Sequence, residues 1–233
     1  LHAAGAIIEK DPAKADVLFH FDDSTHSAAV RPKGRAAAKS INFDCVDVSK
    51  TMVAEAFERA AGYSLAVDPA TYAGPMVEKS EINAAHDGRI IEGPREALEG
   101  KTYQRLIDNA IPDGLVEDLR TTIVAGEPVL VFKKRRAQSR RFLNENSDVA
   151  LSFPNDCFSA DELVVIRRFV KEIGLDWGGV DVLRDAASQQ IFIVDANKTD
   201  MGPPVALPLG QKLRATRLMA RAFSAAYAPR GRA

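Results

Sequence analysis

Two apolar runs near the C-terminus, GGVDVLRD (178–185) and QQIFIVDAN (189–197), are separated only by Ala186, Ala187 and Ser188. Parallel strands need a crossover of a dozen residues or more, so runs this close pair antiparallel, as a hairpin. Side chains alternate along a strand, which puts Asp195 and Asn197, two apart, on one side of it. Asp181 interrupts the apolar residues of the first run and joins them if its register matches. Two carboxylates and one amide carbonyl on rigid strands form an all-oxygen set that suits a hard cation such as Mg²⁺. Side by side without a cation, the two carboxylates would be costly, because repulsion and desolvation add. The plainer reading is that Asp181 caps a turn and Asp195-Ala-Asn197 ends a strand. The residues alone leave both open.

The rest of the chain surrounds this hairpin with a mixture of strand pairs and helices, an α+β pattern without repeats. VLFHF (17–21) reads as a strand, and VRPKGRAAAKS (30–40) as a basic linker. Ser49 caps a helix in which Val53, Ala56, Phe57 and Ala60 recur at helical spacing, and Gly62 stops it. GPMVEKSEINAAHDGRIIEGP (74–94) reads as strand, turn at AAHDG, strand. After Lys101–Ile107, EDLRTTIVAGEPVLVFKKR (117–135) is a strand pair turning at Ala125-Gly126-Glu127. SADE (159–162) is a capping box opening a helix that Gly174 ends. A last helix puts Leu218, Met219, Ala222, Phe223, Ala226 and Tyr227 on one face, which serves a core or a dimer equally well.

Composition narrows the function. The 233 residues carry a formal net charge of -1, so no global field draws the chain to nucleic acid or membrane. No apolar run reaches the roughly 18 residues of a membrane span, and no secretory signal is read at the start. Cys45 and Cys157 lie far apart, outside any CxxC pair, which predicts reduced thiols, a cytoplasmic setting and no structural zinc. Beginning at Leu1, the chain reads as an excised piece.

Lys50 opens the first helix and Lys79 interrupts PMVEKSE. Taken singly, Lys50 reads as a solvated surface residue and Lys79 as an edge-strand lysine with a snorkelling stem. Taken in order, DVSK (47–50), VEKSEINAAHDG (77–88), YQRLID (103–108), EDLR (117–120), GGVDVLRD (178–185) and VDANKT (194–199) resemble the ATP-grasp superfamily over residues 41 to 210. The resemblance implies two α+β subdomains gripping Mg·ATP. Residues 46–107 would be the small one and 108–233 the large one, with 1–45 a remnant of an N-terminal pre-ATP-grasp α/β domain. It implies that Lys50 and Lys79 meet the nucleotide phosphates. The segment Gln104, Arg105, Leu106 and Ile107 would hold adenine, largely through backbone groups. Asp181, Asp195 and Asn197 would bind magnesium, and Arg120, with Lys79, would act on the phosphate or the acceptor. Many members have Glu where Asp195 stands and a Gly-rich loop where this chain has INAAHDG, so the phosphate contacts there differ. His86 on that loop faces phosphate or solvent.

The implied chemistry is electrostatic: cation and lysine neutralise a transferring phosphoryl group while an oxygen attacks it. For most of the superfamily that oxygen is a carboxylate of a small molecule or peptide, giving an acylphosphate that an amine or thiol captures, so a carbon–nitrogen ligase is expected. A kinase acting on a hydroxyl and a non-catalytic anion-binding module are the alternatives. EGKT (99–102) is not a P-loop, because Arg95 stands where its first glycine is required. His2, His20, His26 and His86 show no HExxH spacing. KKRRAQSRR (133–141), with six basic residues in nine, reads as a solvated strand end or, beside the nucleotide cleft, as a source of anion-binding arginines at 135, 136, 140 and 141.

Overall fold

The computed structural model describes all residues except 28–29, 34–37, 83–84, 86, 144–145, 201 and 229–233. His86, part of the AAHDG turn, and Asn144 lie outside the described residues. In chain order, β1 (Val17–Phe19) and β2 (Lys39–Ile41) pair in parallel. The linker reading of 30–40 therefore missed a strand: of Lys39, Ser40 and Ile41 only Ile41 is buried, so no apolar run announced it.

Helix α1 (Lys50–Ala61) begins where Ser49 Oγ accepts from the Met52 N–H and ends at Gly62, whose left-handed φ of 80° closes the last turn. Strands β3 (Gly74–Ser80), β4 (Arg89–Gly93) and β5 (Lys101–Arg105) form a three-stranded antiparallel sheet with β3 in the centre. Lys79 thus stands on a central strand, which corrects its edge-strand reading.

The larger sheet contains β6 (Ala110–Ile111), β7 (Leu115–Val124), β8 (Glu127–Ala137) and β9 (Asp148–Ser152). After a single turn, α2 (Pro154–Cys157), comes α3 (Ala160–Glu172), opened by the reciprocal Ser159–Glu162 capping box. The hairpin β10 (Trp177–Arg184) and β11 (Ile191–Asn197) follows, and α4 (Leu209–Tyr227) closes the described chain. The order is β11-β10-β7-β8-β9 with β6 on β7, every pair antiparallel. The β7–β8 turn puts both Ala125 and Gly126 at positive φ, 54° and 74°, the backbone that matches the strands' right-handed twist.

Each face of this sheet buries its own core. Helices α1 and α3 cover one, with Phe57, Ile166, Phe169, Val180, Val182 and Ile193 packed between. Helix α4 covers the other, setting Met219, Phe223 and Tyr227 against Phe132 and Trp177. At about 1.5–3 kcal/mol per large side chain taken from water, that contact holds α4 in place. Its apolar face is core. The sequence groups α1 with the small sheet, whereas the helix packs on α3 and β11.

Candidate active site

A cleft runs between the small sheet and the β10–β11 side of the large one. Lys79 enters it from β3, Gln104 to Ile107 from β5 and the chain after it, Asp181 and Leu183 from β10, and Val194 and Asp195 from β11. The central carboxylates are placed by register: Asp181 lies directly opposite Asp195, with an irregularity just after Asp181. Lys50, buried at the start of α1, gives its ammonium to Asp195 Oδ1 at 2.6 Å. Lys79 has no hydrogen bond or ion pair among the described residues. Burial lowers its pKa to about 8, with Asp195 pulling upward and Lys50 downward.

Arg120 lies on β7 opposite Asp181, with Nη1 3.3 Å from Asp181 Oδ2 and Nη2 3.7 Å from Asp200 Oδ1. Burial alone would raise the Asp181 carboxyl. The Arg120 guanidinium, with Lys134 and Arg136 behind it, outweighs burial and holds it below the ordinary value. Burial likewise opposes the Arg120 charge, and Asp181 and Asp200 more than restore it. Two carboxylate oxygens stay buried without a partner among the described residues, Asp181 Oδ1 and Asp200 Oδ2. Asn197, opposite Gly179, turns its amide oxygen to the Thr199 N–H (2.7 Å) and hydroxyl (3.0 Å) and does not line the cleft.

Gly179 makes the Arg120 arrangement possible. A Cβ there would stand 2.4 Å from Arg120 Nε and 2.6 Å from Cζ. Gly179→Ala is therefore expected to displace the guanidinium from its carboxylates and cost about 1–3 kcal/mol. Urea unfolding of Gly179→Ala, Arg120→Met and the double variant checks this: the two effects should overlap rather than add.

The basic run divides. Arg135 pairs with Glu117 and Asp148 on the strand surface. Arg136 is buried against Asp118 and also donates to the Arg141 carbonyl at 2.9 Å. Arg141 reaches the segment after β5, donating to the Ile107 carbonyl at 2.6 Å and to Asn109 Oδ1 at 2.8 Å. Arg136, Arg141 and Phe142 all line the cleft. Sequence reasoning missed Asn109, Phe142, Gly179 and Asp200. Asp200 follows the strand end, where alternation no longer says which way a side chain points.

Among the described residues no three His, Cys, Asp or Glu side chains converge as a metal cluster. The donor set is instead two facing carboxylates, one with an unpartnered buried oxygen. That fits an ion such as Mg²⁺, which takes one or two carboxylates and completes its shell with water and phosphate.

No profile of a known family matches the sequence, and no curated protein matches it. Solved structures do match. The ATP-grasp ligase PsnB, complexed with a phosphomimetic variant of its minimal precursor, Mg and ADP, has a TM-score of 0.53 at 16% identity, over 82% of this chain and 62% of that one. The VanG D-Ala:D-Ser ligase of Enterococcus faecalis gives 0.51 at 11%, over 82% and 66%. A RimK domain ATP-grasp protein of Sphaerobacter thermophilus gives 0.50 at 12%, over 91% and 80%. The chain has the ATP-grasp fold, as its sequence resemblance implied. It spans less than two thirds of the PsnB and VanG chains.

Proposed function

We propose that this chain is the nucleotide-binding part of an ATP- and Mg²⁺-dependent ligase that activates a carboxylate for capture by an amine or thiol. The observation that carries the reading is the meeting in one cleft of Lys79 from the small sheet with Lys50, Asp181 and Asp195 from the large-sheet side. Asp181 and Asp195 would hold magnesium, whose charge lowers the cost of gathering phosphate oxygens there; Asn197, whose amide oxygen is taken by Thr199, is not part of that set. Lys79, lacking an anionic partner, receives phosphate. Val77, Leu183 and Val194 supply apolar walls for the base beside Gln104 to Ile107. Arg120 is already shared by two carboxylates, so it positions Asp181 rather than offering itself to substrate.

In the reaction proposed, a substrate carboxylate oxygen bonds to the γ-phosphorus as the bond to ADP breaks. An amine or thiol then bonds to the acyl carbon, phosphate leaves, and the nucleophile's proton is lost. The acid is a small molecule or a peptide; PsnB was solved with a precursor peptide. The two gripping units proposed are the small sheet, β3 to β5, and the large sheet together with α1, with residues 1–45 a partial preceding unit. Free thiols at Cys45 and Cys157 suit the cytoplasmic setting proposed. No helix of the described residues is long and apolar enough to cross a membrane.

The test is a thermal-shift titration with ATP and ADP, with and without Mg²⁺. Ligand at about a hundred times its dissociation constant stabilises by roughly 2.7 kcal/mol. A shift with Mg·ATP supports the reading, and none from either nucleotide overturns it. Product analysis over a panel of acids and amines then separates ligase from kinase, since only a ligase consumes a second acceptor.

A further inference from the structure

The cleft's edge beside residues 104–109 is supplied with hydrogen-bond donors. Gln104 is 1% exposed and lines the cleft, and its Nε2 has no partner among the described residues. The Ile107 carbonyl already accepts two bonds, from the Asn109 N–H at 3.1 Å and from Arg141 Nη2 at 2.6 Å. A carbonyl oxygen has two lone pairs, so this one is filled. Arg141 forms no ion pair among the described residues, and its Nε and Nη1 make no hydrogen bond there. Its guanidinium is thus a cation in the cleft wall with donors to spare.

Purines differ at the 6-position. Adenine carries an amino donor beside the N7 acceptor, whereas guanine and hypoxanthine present two adjacent acceptors, O6 and N7, which a guanidinium grips with paired N–H groups. We propose that Arg141, together with Gln104, determines nucleobase selection and admits 6-oxopurine nucleotides, GTP and ITP, alongside ATP. This rests on the nucleotide-binding reading above. On that edge adenine offers these donors only N7, and its amino group finds the Ile107 carbonyl occupied. A 6-oxopurine gives them a second acceptor.

Isothermal titration of the full chain with ATP, GTP and ITP in Mg²⁺ tests it. GTP and ITP are expected to bind within tenfold of ATP. ITP lacks the 2-amino group, so its agreement with GTP places recognition on O6. Arg141→Met should weaken GTP and ITP relative to ATP by roughly tenfold to a hundredfold. Gln104→Glu, which sets an acceptor against O6, should move the ratio the same way, and each variant's ATP titration reports whether it has folded. Wild-type GTP and ITP more than a hundredfold weaker than ATP would overturn the proposal. So would GTP binding without ITP, or a base ratio that neither substitution moves. If none of the three nucleotides binds, the ligase reading falls first and this one with it.

Discussion

Asp181→Asn is expected to remove the magnesium dependence of nucleotide binding. The substitution preserves shape and leaves an amide oxygen to face Arg120, but it takes away the charge whose second oxygen is buried without a partner. It also leaves the buried Arg120 with Asp200 as its remaining carboxylate contact at the ion-pair distance. Removing one member of a buried pair costs about 3–5 kcal/mol, so the free protein should melt earlier. The informative quantity is therefore the difference between nucleotide shifts with and without Mg²⁺. It should fall to zero in the variant while the Mg²⁺-free ADP shift survives. A retained magnesium increment would sink the metal assignment. The pH dependence has a defined sign. Asp181 is held below its ordinary value of 3.8, so its stabilisation is present above that pH and lost as pH falls through the lower folded value.

Lys79→Met is expected to act in opposite directions on the free and liganded protein. The ammonium is partly desolvated in the cleft without a partner among the described residues, so replacing it with an apolar chain of similar length should stabilise the free protein. The same change removes a charged donor to phosphate and should weaken ATP by about tenfold to a hundredfold. Wild-type protein should show the same opposition with pH. Its folded pKa of about 8 lies below the ordinary value of 10.5, so between them the unfolded chain binds more protons and free-protein stability rises with pH. The rise is up to about 3 kcal/mol, while the stabilisation conferred by nucleotide falls over the same window. Unfolding midpoints in urea from pH 7 to 11, with and without Mg·ATP, would show the crossing trends. Parallel slopes for both forms, or a Lys79→Met variant less stable when free, would refute the assignment of Lys79 as an unpartnered phosphate ligand.

How much of this was legible beforehand differs by residue. The Ser49 cap with Gly62, the Ser159–Glu162 box and the β10–β11 hairpin were all readable because each depends on neighbours a few positions away. Strand β2 was not, since its pairing with β1 crosses a stretch of polar residues and only Ile41 signals burial. The facing of Asp181 and Asp195 was conditional on register, which periodicity cannot fix; the pairing of β10 with β11 supplied it. Asn197 shares the alternation that put it beside Asp195, yet its amide oxygen serves the turn at Thr199. The basic run gave no sign of which arginine would be used. That was decided by strand direction, which sends Arg135 to Glu117 and Arg136 to Asp118 on the opposite face.

The sequence by itself determined the local elements, the hairpin with its oxygen-bearing strand end, and the order of motifs that resembles the ATP-grasp superfamily. Only the tertiary structure decided which charges neutralise one another. Lys50 is held by Asp195, Arg120 is shared by Asp181 and Asp200 over a glycine, and Lys79 is left unpartnered. The physical reason is range. Caps, turns and alternation act over a few residues of chain. An ion pair depends on distances of a few ångströms between residues as far apart as Lys50 and Asp195, and those exist only once both sheets have packed.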